Sequence, residues 1–166
     1  MRVRCDSCED FKYLKSDEVK NIHPELAFYC SKPCVLEALK VPGEKFNGLD
    51  TTPVEDQSDR HVESWALKTC FKTMFEMRVA EWLTELDYEW YYELYAIEFS
   101  EDGDRRDIWI PDFVLPTQQI LIEVKGKWNQ GQKKKMGRFL RAHPHVKVVA
   151  IQWAIRDEFY NRRRFV

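Results

Sequence analysis

Two apolar runs separated by a short polar turn dominate the middle of the chain, and each is broken by charge. Residues 108–115 and 119–125 are rich in β-branched and aromatic side chains, and Pro116-Thr-Gln-Gln lies between them. Such a pattern predicts an antiparallel hairpin. With the two-residue period of a strand, Ile120, Ile122 and Val124 share one face, and Leu121, Glu123 and Lys125 share the other. Glu123 and Lys125 are then about 6.6 Å apart along the strand. Asp112, in the Pro111-Asp112 pair of the first strand, can approach Glu123 from the neighbouring strand. Two carboxylates inside apolar strands are costly to bury unless a cation or hydrogen bonds compensate them. A lysine beside them favours their ionised forms. These three residues fit a metal-dependent phosphodiesterase centre, and equally an ion pair on a solvated strand face.

Upstream, Leu67, Phe71, Met74, Phe75, Val79, Trp82, Leu83 and Leu86 recur at helical spacing and predict one helix over residues 61–86. Glu76 shares a stripe with Val79, Ala80 and Leu83, so it is either a capping acid or a third carboxylate of the same site. Cys70 is expected in the core of this helix. The aromatic segment 88–99 predicts a first strand whose rings fill the layer between sheet and helix, with stacking on exposed bases as the alternative. Trp128 is expected to be a packing residue. Residues 101–104 read as a hairpin tip, 131–142 as a helix and 146–153 as a core strand. The expected fold class is α/β, a central mixed sheet with strands near 88–99, 107–115, 119–125 and 146–153, flanked by helices.

The ordered set of helix Glu, Pro-Asp and Glu-x-Lys resembles the PD-(D/E)xK nuclease superfamily. Within it the chain is most similar to phage endonuclease I-type resolvases of four-way (Holliday) DNA junctions. The resembling segments are Phe75-Glu-Met-Arg-Val79, Ile110-Pro-Asp-Phe-Val-Leu-Pro116, Glu123-Val-Lys-Gly-Lys-Trp128, Lys133-Lys-Lys135 and His143-Pro144. The resemblance implies a restriction-endonuclease-like fold and a Mg²⁺- or Mn²⁺-dependent endodeoxyribonuclease, with two ions per site. In that frame Asp112 and Glu123 bind one ion with the Val124 carbonyl. Glu76 helps hold a second ion or orients a metal-bound water, and Lys125 orients the attacking water. Oxygen ligands suit such hard cations, and paired ions suit in-line displacement. The resemblance also implies 5′-phosphate products, a homodimer built by segment exchange, and a viral or mobile-element protein acting in the host cytoplasm. A site-directed nicking, repair or transposition nuclease of the same superfamily remains open, as does an inert DNA- or protein-binding module. Presence of all four groups argues against the inert reading.

The net charge of −2 hides a polarity. Acids dominate between Glu76 and Glu123, whereas the chain after Lys125 is mostly basic. Lys127, Lys133, Lys134, Lys135, Arg138 and Arg141 are the candidate DNA-binding residues, since cations gathered in one part of a chain suit a phosphate backbone. A solvated helix face is the bland alternative. Arg162-Arg-Arg-Phe-Val166 reads as an arm that orders on DNA or remains free.

The N-terminus carries an independent signal. Cys5-x2-Cys8 and Cys30-x3-Cys34 have the paired spacing of a structural Zn²⁺ site, and the second pair leads into a helix-like run, as in a treble-clef finger. Disulfides are the rival reading. No signal peptide is evident, which favours a reducing compartment and zinc. His23, before Pro24, is expected in a turn. Such a finger can touch DNA, bind a protein or brace the rest of the chain. The expected division is a finger at 1–40, a linker at 41–60 marked by Pro42-Gly43, Asn47-Gly48 and Pro53, and a nuclease domain at 61–166. No apolar stretch is long enough to cross a bilayer.

Overall fold

The computed structural model describes residues 1–160 and shows a mixed α/β chain whose strands fall into four small sheets. The arm predicted at Arg162–Val166 lies outside the described residues. In chain order the elements are β1 (Arg2–Arg4), β2 (Phe11–Tyr13), α1 (Ser16–Val19), α2 (Lys32–Lys40), β3 (Asp50–Pro53), β4 (Val62–Ser64), β5 (Thr69–Phe71) and α3 (Met74–Glu85). They continue with β6 (Tyr91–Tyr92), β7 (Tyr95–Phe99), β8 (Asp107–Trp109), β9 (Phe113–Leu115), β10 (Ile120–Lys125), α4 (Gln130–Ala142), β11 (Lys147–Gln152) and α5 (Arg156–Tyr160). Among the described residues no helix is long and apolar enough to cross a membrane.

The main sheet has the order β11-β10-β9-β6. The predicted hairpin forms between β9 and β10, with Ile120 opposite Leu115 and Ile122 opposite Phe113. β11 runs parallel to β10, with Ile120 opposite Lys147 and Lys125 opposite Gln152. Parallel neighbours need a long crossover, and α4 supplies it. Both faces of β10 are covered. Ile120, Ile122 and Val124 pack with Phe75, Val79 and Leu83 of α3, whereas Leu121 packs with Trp109, Met136 and Phe139 on the α4 side. An apolar strand buried on both sides makes any charge on it conspicuous, and this is where Glu123 stands.

Several expected elements are divided. The helix predicted over 61–86 is a β4–β5 hairpin followed by α3. Thr73 stops the helix from extending backwards: its hydroxyl accepts from Glu76 N at 3.2 Å, and the Glu76 carboxylate accepts from Thr73 N at 3.0 Å. This reciprocal capping box fixes the helix start. Phe71 is buried in the hairpin as it would be in a helix, so its periodicity misled. Cys70 faces solvent on β5 and is not in the core.

The strand predicted over 88–99 is broken at Glu93, whose φ of 42° is incompatible with a strand. Its halves belong to different sheets, β6 beside β9 and β7 between β3 and β8. The strand predicted over 107–115 breaks around Pro111, which has no N–H to give a ladder. β8 therefore joins β7 and β9 joins β10.

The segment expected to be a linker also pairs. β3 lies along β7, with Thr51 opposite Ile97. Gly43 N donates to the Gln118 carbonyl at 2.9 Å, and a Cβ at Gly43 would overlap the Gln119 carbonyl oxygen.

Candidate functional site

Glu76, Asp112, Glu123 and Lys125 line one cleft of about 310 Å³, each delivered by a different local device. Glu76 is the third residue of α3, turned inward by the capping box, and its Oε2 also accepts from the Tyr92 hydroxyl at 2.7 Å. Asp112 sits where Pro111 interrupts the strand, and its Oδ2 accepts from Val124 N at 2.6 Å. Glu123 is held on both oxygens: Trp109 Nε1 donates to Oε2 at 2.9 Å, and Lys125 Nζ donates to Oε1 at 2.9 Å. Lys125 in turn lies 5.4 Å from the centre of the Trp128 ring.

All three carboxylates are buried. Burial, then the nearby Glu123 and Glu76 charges, push the Asp112 carboxyl well above its ordinary range, against the pull of the Val124 N–H. Burial also raises Glu76, opposed by its Tyr92 and Thr73 hydrogen bonds. Burial alone would lower Lys125, but Glu123, with Asp112 and Glu76 behind it, holds the ammonium above its ordinary value. Asp112 Oδ1 and Glu76 Oε1 have no protein hydrogen-bond partner among the described residues, and neither is sealed from solvent. Carboxylate oxygens of this kind could serve as ligands to a hard divalent cation.

Three further residues at or beside this cleft, Glu93, Trp109 and Tyr92, were not expected in it from the sequence. Glu93 is buried, lines the cleft and is neutralised by Arg60 at 3.3 Å and Lys72 at 2.6 Å. Its N–H donates to the Asp112 carbonyl at 2.9 Å, so the break at Glu93 helps place the break at Asp112. Tyr92 and Trp109 were legible only as core aromatics. Nothing in the Tyr-Tyr-Glu-Leu-Tyr run distinguishes Glu93 from a surface acid.

The predicted basic residues divide by role. Arg138 grips Asp107 at 2.6 and 3.1 Å, pinning α4 to β8. Arg141 pairs with Glu25 and Glu101. Lys133 Nζ donates to the Lys20 carbonyl at 2.7 Å, and Lys135 Nζ, at the cleft, donates to the Ile108 carbonyl at 3.0 Å. Lys134 is exposed, and Lys127 lines a second cleft. Arg138 and Arg141 therefore act first as structural cations, and a DNA strand would have to compete with their carboxylates.

The cysteines converge. Cys5 and Cys8 come from the β1–β2 connection, and Cys30 and Cys34 from the start of α2. All four sulfurs lie within 4.8 Å of one another. The Cys8–Cys30 and Cys30–Cys34 separations of 3.7 and 3.6 Å match the edge of about 3.8 Å expected for tetrahedral sulfur ligands about 2.3 Å from zinc. All five cysteines are free thiols rather than disulfides. Burial raises the Cys5 thiol, but the Cys8, Ser7 and Cys30 backbone outweighs it and lowers it to about 7. The carboxylates of the cleft do not form so tight a group.

This four-cysteine unit is built into the rest of the molecule. Val35 and Leu39 of α2 are fully buried in the same core as α3 and β10. Lys32 N donates to Glu158 at 2.8 Å. Buried His23 occupies the predicted turn, and its N–H donates to Gln152 Oε1 at 2.8 Å. The same oxygen accepts from Trp128 Nε1 at 3.0 Å. A short relay thus runs from the cysteine unit through Gln152 and Trp128 to Lys125. Trp128 is a packing residue, as expected, with this added polar tie. Neither known protein-family profiles, nor curated proteins, nor solved structures yielded a match to this chain.

Proposed function

We propose that the chain is a Mg²⁺- or Mn²⁺-dependent DNA endonuclease of the PD-(D/E)xK kind, selective for branched DNA and in particular four-way junctions. The observation that carries this reading is the meeting of Glu76, Asp112, Glu123 and Lys125 in one cleft, with Asp112 and Glu76 keeping an oxygen free. The junction preference, the restriction-endonuclease-like fold and a homodimer acting in a host-cell cytoplasm rest on the resemblance of the motifs.

Asp112, Glu123 and the Val124 carbonyl would hold one divalent ion, with Glu76 turned towards a second. Ions bound there would supply Lewis acidity and neutralise charge on the phosphate. Lys125, kept protonated by Glu123, orients the attacking water and offsets charge growing on the phosphoryl oxygens. The water oxygen forms the new bond to phosphorus, and the bond to the 3′ oxygen breaks. Glu76 would help hold the second ion or orient the water bound to it, and the water proton leaves to bulk solvent, which also protonates the departing 3′ oxygen. The products carry 5′-phosphate and 3′-hydroxyl ends. Trp109 and Trp128 keep Glu123 and Lys125 in place as the charges change. The four cysteines would hold a structural Zn²⁺ and so brace the catalytic strands.

Incubation with a synthetic four-way junction, linear duplex and single strands in Mg²⁺ or Mn²⁺ tests the proposal. Paired symmetric nicks restricted to the junction are expected. Cutting that follows sequence in linear duplex overturns the junction preference, and no cutting of any substrate overturns the nuclease reading.

A further inference from the structure

A second cleft, of about 480 Å³, adjoins the first and shares Glu76, Lys125 and Gln132 with it. Its chemistry is opposite. The first cleft gathers Glu76, Glu93, Asp112 and Glu123. In the second, Glu76 faces the cations Lys125, Lys127 and Arg156, and the aromatic rings of Trp153 and Tyr160. Arg156 lies 4.6 Å from the centre of the Trp153 ring and 4.8 Å from that of Tyr160. Neither Lys127 nor Arg156 has a carboxylate partner among the described residues, unlike Arg138 and Arg141.

The placement follows from register. Gln152 is opposite Lys125, so the next residues along, Trp153 and Gly126, come side by side where the parallel strands end. Gly126 brings no side chain: a Cβ there would be 3.9 Å from the Trp153 ring. The cleft is therefore edged by bare backbone within contact range of the Trp153 ring. Its volume falls within the range of about 300–1,000 Å³ that small-ligand sites occupy. Unpaired cations beside aromatic rings are the combination that holds a phosphodiester with its base.

We propose that this cleft is a nucleotide subsite that holds the cleaved strand next to the scissile phosphate. Lys127 and Arg156 take the phosphate, and the base lies against Trp153 and Tyr160. The assignment rests on the nuclease reading for the neighbouring acids, but its ligand is single-stranded or locally unpaired DNA whether or not cutting follows.

Binding of a short fluorescein-labelled single-stranded oligodeoxynucleotide to the full chain, with Ca²⁺ in place of Mg²⁺, tests it by anisotropy across a salt series. Arg156→Gln is expected to lower the steepness of log K against log salt by about 0.7, the loss of one strand phosphate. Trp153→Ala is expected to weaken binding about ten-fold, and Trp153→Phe to keep most of the affinity. Thermal melting of each variant checks folding, and if Trp153→Ala does not fold, the Arg156→Gln salt slope decides. Wild-type affinity and slope in the variants overturn the subsite, even if the wild type cuts DNA. Oligonucleotide binding that depends on Arg156 and Trp153 without any cutting in Mg²⁺ supports the subsite and overturns the nuclease reading alone. A wild-type chain that binds no oligonucleotide overturns the subsite, and the nuclease reading then stands or falls on junction cutting alone.

Discussion

Asp112→Asn separates charge from shape at the centre of the cleft. The amide oxygen can still accept the Val124 N–H, which Asp112 now binds at 2.6 Å, so the backbone is expected to stay in place. What changes is the charge. Among the described residues Glu76, Asp112 and Glu123 share Lys125, since Lys72, also at this cleft, is spent on Glu93 and Asp59, and Lys135 is tied to the Ile108 carbonyl. The Asp112 carboxyl is raised from its ordinary value of 3.8, so the folded chain binds more protons than the unfolded chain above that value. Stability then falls as pH rises through the window between 3.8 and the raised value. Each unit of elevation costs about 1.4 kcal/mol at pH values above the window.

Without added magnesium, Asp112→Asn should melt higher than the wild type at about pH 8, and the gap should narrow as pH falls towards about 5. Magnesium should reverse the order. One ion at a hundred times its Kd adds about 2.7 kcal/mol. At about 2–4 °C per kcal/mol for a chain of this size, that is about 5–11 °C for the wild type and little for the variant. Differential scanning fluorimetry across pH, with and without Mg²⁺, reads both effects. A pH-independent loss of stability in Asp112→Asn, together with a wild-type melting point indifferent to Mg²⁺ and Mn²⁺, would refute the reasoning.

The other predictions are simpler. Glu123→Gln and Lys125→Ala should each lower junction cutting by at least about a hundred-fold while leaving junction affinity in Ca²⁺ nearly unchanged; wild-type rates would remove that residue from the site. Cys30→Ser should lose one zinc per chain by native mass spectrometry and lower the melting temperature, because structural zinc contributes folding energy directly; an unchanged metal content would reject the zinc assignment. Gln152→Ala should orphan the His23 and Trp128 N–H donors, which its oxygen accepts at 2.8 and 3.0 Å. At about 1–3 kcal/mol each, the total is about 2–6 kcal/mol; a variant that melts like the wild type would show that the relay bears no load.

What the sequence disclosed was set by local patterning. β10, α4 and β11 follow from continuous periodicity and near-unambiguous turn chemistry and lie within a residue or two of expectation, whereas β9 is only the last three residues of the strand expected before the turn. The convergence of Asp112, Glu123 and Lys125 was legible because apolar strands do not tolerate charge without a reason. The four cysteines were legible from spacing alone. Failures occurred where tertiary contacts overrode local pattern. Residues 61–73 carry helix-like apolar spacing, yet Phe71 satisfies it from a hairpin, and Thr73 decides where the helix begins. Glu93 and Pro111 divide two predicted strands, and the Glu93 conformation is fixed by Arg60, Lys72 and the Asp112 carbonyl. None of those partners adjoins it in sequence. The basic stripe looked uniform in one dimension because the acids that engage Arg138 and Arg141 lie far away in the chain.

β3 has a practical consequence for how the protein can be dissected. Residues 50–53 hydrogen-bond along β7, and β8 occupies its other side. A recombinant fragment that starts after Arg60 strips one flank of β7 and leaves a row of unsatisfied amides and carbonyls on an apolar strand. Exposed flanks of this sort recruit another chain. Such a fragment should precipitate or pair with itself, and its behaviour would report on the bared strand rather than on the acids beyond it.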